Sequence, residues 1–294
     1  MDEKIVLQTE ACRAEIALLG AQLESLQNAE GLEYLWQREP KWWSGCAPVL
    51  FPMVGALRGG RTVIDGRIYE MPQHGLARRR LFRLISQTDS EAVFSLCADE
   101  ETMKHYPFAF ELQVCYTLEQ ASLRTSFHVF NHGAVPMPYA VGGHPAFNVP
   151  LAEGERFEEY AVVFEREETA SCPAIVVGEG LIDPSRTTQR LRGSRVLPLS
   201  HDLFYADALV FEGLISKTAT LSGGSAGHGV TMEFSDFPML GVWSAANDGP
   251  FVALEPWCGC ATRTDETDEF TAKRWMRVLP AGQSETHSYT VTIF

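Results

Sequence analysis

FELQVCYTLEQASLRTSFHVF, residues 110 to 130, contains two runs in which apolar and polar side chains alternate. Successive side chains of an extended chain point to opposite faces, so Phe110, Leu112, Val114, Tyr116 and Leu118 make one apolar face of a strand. Shorter runs recur on both sides: KIVLQT, AEIALL, RTVID, RIYEM and AVFSLCA before it, and YAVVF, ALVFEG, TATLS, GVTMEF, MLGVWSA, FVALEPW and SYTVTIF after it. Turn-forming clusters separate them, among them NHGAVP at 131 to 136, NDGP at 247 to 250 and SGGSAGHG at 222 to 229, the last placed as a hairpin connection. The pattern predicts an all-β, mostly antiparallel fold. Roughly fourteen strands exceed what one open sheet usually holds, so a large β-sandwich of two or more packed sheets is expected, with room for a cleft on one sheet face. No linker, low-complexity tract or fixed-period repeat divides the chain, and residues 1–294 are expected to form a single domain. Helical periodicity is scarce; DEETMKHY and SHDLFY could each form a short helix or turn, with Asp99 and Ser200 as caps.

The 294 residues are 45% hydrophobic and 21% charged, an ordinary globular composition with material for a large core. The 38 acidic against 24 basic residues give a net charge of −14, which repels nucleic-acid phosphates and anionic lipid and disfavours both as partners. The amino-terminal stretch MDEKIVLQTEACRAEIALL is acidic where a secretory signal is basic, and no apolar run approaches the roughly 20 residues that span a bilayer. A cytoplasmic location is expected. Seven cysteines at scattered positions do not suggest a disulfide framework; they are expected as reduced thiols, several of them buried. Cys258-Gly-Cys260 alone is weak evidence for zinc.

Four stretches carry groups suited to chemistry. In MPQHGLARRR, residues 71 to 80, Pro72 and Gly75 shape a loop around His74, and three arginines follow. In an extended strand Arg78, Arg79 and Arg80 could not all face one ligand. In VGGHPAFNVP, residues 141 to 150, two glycines and Pro145 frame His144; the framing either orients the imidazole or only serves a tight turn with positive φ. In PFVALEPWCG, residues 250 to 259, alternation puts Phe251, Ala253 and Glu255 on one face and Val252 and Leu254 on the other. A carboxylate on that face needs a partner such as Arg263, or a ligand, and partial desolvation would raise its pKa as a general base requires. Trp257 is either core or a surface for the C–H face of a sugar. In HDLFYADALVF, Asp207 is either a turn residue or a site acid. Trp42 and Trp43 of PKWWSG are placed as a packing element.

The ordered set EYLWQREPKWWSGCAPVLFPMVG, YEMPQHGLAR, VGGHPAFN and LEPWCG resembles the galactose mutarotase (aldose 1-epimerase) superfamily, and within it the LacX-like branch. The resemblance implies a supersandwich with a sugar cleft on a concave sheet face, no metal or cofactor, a small-molecule sugar as partner, a monomer or homodimer, and interconversion of the α and β anomers of an aldose. It implies that His144 is the general acid and Glu255 the general base. It makes His74 a second histidine bonded to the sugar near its ring oxygen, Arg78 a holder of hydroxyls or a substituent, and Asp207 a hydroxyl-binding acid. Acid and base are expected on opposite sides of the sugar, with His144 kept protonated at neutral pH by nearby carboxylates. Two departures stand out: Ala56 where many of the branch carry arginine, and Gly59-Gly60 in place of the Asn-Arg pair of galactose mutarotases. Three rival readings remain: a hexose-6-phosphate 1-epimerase gripping phosphate with Arg78 and Arg79 or Arg80, a non-catalytic sugar-binding protein, and a purely structural β protein.

Overall fold

Phe110–Glu119 and Ser122–Asn131 pair antiparallel, with Leu118 opposite Leu123. Gln120 takes φ 52° in the turn between them. The alternating apolar side chains Phe110 to Leu118 are all buried, and the residues between them are part exposed. The computed structural model describes residues 4–294; Met1, Asp2 and Glu3 of the amino-terminal stretch lie outside the described residues.

This hairpin lies inside a nine-stranded sheet running from Leu181–Pro198 at one edge to Arg83–Gln87 at the other. A six-stranded sheet is built on Phe251–Cys258, flanked by Met239–Trp243 and Val141–Gly143. Smaller two- and three-stranded sheets complete the molecule, and every ladder between these strands is antiparallel. Val252 and Leu254 of the six-stranded sheet share one buried cluster with Val114, Phe127 and Tyr289 of the nine-stranded sheet. Phe251 and Ala253, on the opposite face of the same strand, pack instead with Trp36, Trp43 and Trp243. The six-stranded sheet thus closes the core with one face and presents the other to the candidate site.

The SGGSAGHG segment joins the paired strands Thr218–Gly223 and Gly229–Glu233, as a hairpin connection should. Asp99 caps the short helix Glu100–Met103 by accepting from the Thr102 N–H, whereas Ser200 precedes the 3-10 turn His201–Phe204 without a side-chain cap bond. The described residues form twenty-two strands, more than the fourteen runs. The excess comes mainly from strands of two to four residues, too short to show a period, and from the Leu181–Pro198 strand. That strand pairs with Tyr160–Val176 in a long hairpin whose register slips four times. The arginines at 78 to 80 are not extended either: Ala77–Arg79 is a 3-10 turn.

Candidate active site

Val141–Gly143 and Ala146–Asn148 both pair with Phe251–Cys258, Gly142 opposite Trp257 and Ala146 opposite Ala253. The two pairings keep one register across the break between them, which sets His144 across from Glu255. A bond from the Leu254 N–H to the Pro145 carbonyl, 3.1 Å, closes the break. A Cβ on Gly142 would lie 2.7 Å from the Pro256 carbonyl oxygen, and one on Gly143 2.7 Å from the Tyr289 ring. Neither glycine has positive φ, so both serve close packing and not a left-handed turn. Gly241 lies opposite Glu255 on the other side, where a Cβ would come 2.8 Å from the Trp257 ring.

His144 Nε2 stands 3.1 Å from Glu255 Oε2, with the residues only 7% and 1% exposed. The approach is out of line for a hydrogen bond, and Glu255 Oε2 and His144 Nδ1 are both buried without a hydrogen-bond partner. Arg263 is held by both oxygens of Asp265 at 2.9 Å and does not pair with Glu255. Acid and base therefore lie side by side, and the expectation of a sugar between them is corrected: one strand pair carries both.

His74 sits at φ 65° on its loop, followed by Gly75 at φ 73°. A Cβ on Gly75 would be 2.3 Å from the Phe51 carbonyl oxygen, so only glycine allows this approach. The His74 N–H donates to the Gly55 carbonyl at 2.9 Å, and the Gly55 N–H donates to His74 Nδ1 at 3.1 Å. Nδ1 is thereby an acceptor, which leaves the proton of the neutral ring on Nε2. The His74 ring meets His144 edge-on, 5.7 Å between centroids. Arg78 reaches the same space with a buried Nε that has no protein partner, while Arg80 pairs with Asp99 and Arg79 is exposed. Asp207 takes φ 103°, a strained value for an aspartate, and its carboxylate accepts from the Ala208 N–H at 2.7 Å. Trp257 is buried beside Glu255 with its indole N–H unpartnered.

His74, Arg78, His144, Asp207, Glu255 and Trp257 all line one cavity of about 260 Å³. Burial pushes Glu255 well above the ordinary carboxylate range, the nearby charge of Asp207 adds to this, and the Trp257 N–H opposes it. Burial pushes His144 down to about 3, helped by Arg78. His74 is lowered well below the usual imidazole value by burial, then by His144 and Arg78. The expectation of a resting imidazolium at His144 is thus corrected. Desolvation keeps His144 neutral and favours the protonated, neutral form of Glu255.

The aldose 1-epimerase family profile matches residues 3–292. The chain belongs to the aldose 1-epimerase family. This epimerase-family chain is 39% identical to the plasmid-encoded protein LacX of Lactococcus lactis subsp. lactis, over 98% of its own length and 99% of the relative. Its fold matches a galactose mutarotase related enzyme from Lactobacillus acidophilus with TM-score 0.95 and 31% identity, covering 99% and 97% of the two chains. A galactose mutarotase-like protein from Lactobacillus casei ATCC 334 matches with TM-score 0.92 and 30% identity over 99% and 100%. Family and likenesses together support a carbohydrate epimerase.

Several cavity residues of this family member escape sequence inspection. Trp43 and Trp243 flank His144, at 5.0 and 5.4 Å between ring centroids. Ile175 and Ile182, from the tip region of the long hairpin, wall the other side. Ile182 is anchored there by bonds to Thr262 and Thr264. Ala56 packs under the same tip, 3.2 Å from where a Cβ on Gly180 would be, and Gly59-Gly60 form a turn outside the cavity lining. Cys258 and Cys260 are both buried, with thiols raised to about 12 by burial. Among the described residues no group of three His, Cys, Asp or Glu is placed to hold a metal ion, and no helix is long and apolar enough to cross a membrane.

Proposed function

We propose that this protein exchanges the α and β anomers of an aldose by opening and reclosing its ring. The observation that carries this is the buried His144–Glu255 contact at 3.1 Å, two proton-transfer groups holding one proton at the wall of a sugar-sized cavity. Ring opening removes a proton from the C1 hydroxyl and delivers one to the ring oxygen. Both oxygens are bonded to C1, so a donor and an acceptor standing side by side reach them together. The family roles, His144 as acid and Glu255 as base, arise from the neutral pair when one proton passes from Glu255 to His144. His144 then protonates the ring oxygen while Glu255 takes the hydroxyl proton, and closure on the other face reverses both steps. His74 offers its Nε2–H to the sugar as a neutral donor, fixed in that tautomer by Gly55. Arg78 and Asp207, which line the same cavity, bind sugar hydroxyls.

Polarimetry of freshly dissolved single anomers across a panel of aldoses tests this, with acceleration of at least one sugar expected. The unpartnered Arg78 guanidinium also favours a phosphorylated sugar, so glucose and glucose 6-phosphate belong in the panel. Only Arg78 of the three arginines lines the cavity, with the acid Asp207 in the same lining, and the unphosphorylated sugar is the better fit.

A further inference from the structure

The Trp43 indole lies over the His144 imidazole, with centroids 5.0 Å apart and planes 26° from parallel. It is held there from several sides. The Trp43 backbone carbonyl accepts from the Trp36 indole N–H at 2.8 Å, and its backbone N–H donates to the Glu39 carbonyl at 3.1 Å. Phe251 stacks on it at 5.6 Å and Trp243 meets it edge-on at 5.2 Å. Gly45 leaves the ring its place, since a Cβ there would lie 2.3 Å from it. The other groups facing His144 are the Glu255 carboxyl, the edges of His74 and Trp243, and the Arg78 charge, with Asp207 beyond Glu255. Arg78 opposes a charge on His144, so the aromatic face and Glu255 are what favour it.

We propose that Trp43 is a positioning residue for the acid: its ring face stabilises the imidazolium that His144 becomes on taking the Glu255 proton, and it fixes the imidazole plane so that Nε2 stays on Glu255. The assignment rests on the epimerase function proposed above. The step moves one proton from Glu255 Oε2 to His144 Nε2 and nothing else. A cation over an aromatic face is favoured most by tryptophan and less by phenylalanine, and leucine has no such face. We therefore expect kcat to fall about threefold in Trp43→Phe and about 10- to 30-fold in Trp43→Leu, with KM changing less than kcat.

The test is anomer-exchange kinetics of both variants, with thermal unfolding to confirm that they fold, and imidazole 15N shifts of His144 without sugar followed as the pH is lowered from neutrality. Phe is expected to restore most of what Leu loses, and His144 in the Leu variant to take up its second proton at lower pH than in the wild type. Equal kcat in all three proteins, or a loss carried by KM alone, overturns the role of Trp43. If the wild type accelerates no sugar, the epimerase function fails, and the 15N comparison then decides: identical proton uptake by His144 in wild type and Leu variant overturns the inference on its own.

Discussion

At the level of single residues, burial governs the chemistry. Burial favours the protonated form of Glu255 and the neutral form of His144, the states from which exchange starts. Its acid limit, a second proton on His144, falls near 3, and its alkaline limit is the raised value of Glu255. Anomer exchange is thus expected to be level between these two limits and to fall beyond each, as rate measurements across buffers would check. The same shifts bear on stability. Glu255 ordinarily titrates at 4.5, so above that pH the unfolded chain has released a proton that the folded chain retains. Stability from this group is therefore lost as pH rises from 4.5 towards the raised value. His144 has the opposite sign: the unfolded ring binds a proton below 6.5 while the folded ring resists until about 3, and stability is lost as pH falls through that window. Glu255→Gln removes the first effect, and its Tm is expected to fall less than that of the wild type between about pH 5 and about pH 8.

The elements around the site act through register. His144 meets Glu255 because the pairing along Phe251–Cys258 keeps one register on both sides of residues 143 to 145, and Gly143 is what lets that segment lie against Tyr289. Gly143→Ala must push the chain away from that ring. A displacement near 1 Å at a catalytic group costs about 100-fold, so exchange kinetics should show a drop of that order in kcat. The two histidines, Glu255 and their glycine frames were legible in the sequence because each motif is local, and alternation alone gave the correct face for Phe251, Ala253 and Glu255. The side-by-side geometry of acid and base was not, since it depends on a pairing register between distant segments that no residue pattern announces. Nor was Trp43: in PKWWSG it looks like packing, and only the fold lays it over His144. The resting charge of His144 was misjudged for the same reason, because the depth of its burial is set by residues far away in sequence.

Over the whole molecule, the two large sheets follow from alternation in strands such as Phe110–Glu119, and antiparallel pairing follows from the short turns between them. The hairpin of Tyr160–Val176 and Leu181–Pro198 defeats that logic, since Pro173, Pro184, Gly193 and a dense run of charges interrupt any apolar period. Yet it walls the cavity with Ile175 and Ile182, so specificity lies where the sequence is least regular. With a single arginine in the cavity, glucose is expected to exchange at least as fast as glucose 6-phosphate; Arg78→Ala should raise KM for whichever sugar is used, as initial-rate polarimetry would show. The account stands or falls on the buried proton pair. Exchange NMR on a panel of aldoses, with wild type, Glu255→Gln and His144→Asn compared under one condition, tests it most directly. The prediction is clear acceleration by the wild type and a loss of about 10²–10⁴ in each variant; no acceleration of any sugar, or variants as active as the wild type, would contradict it.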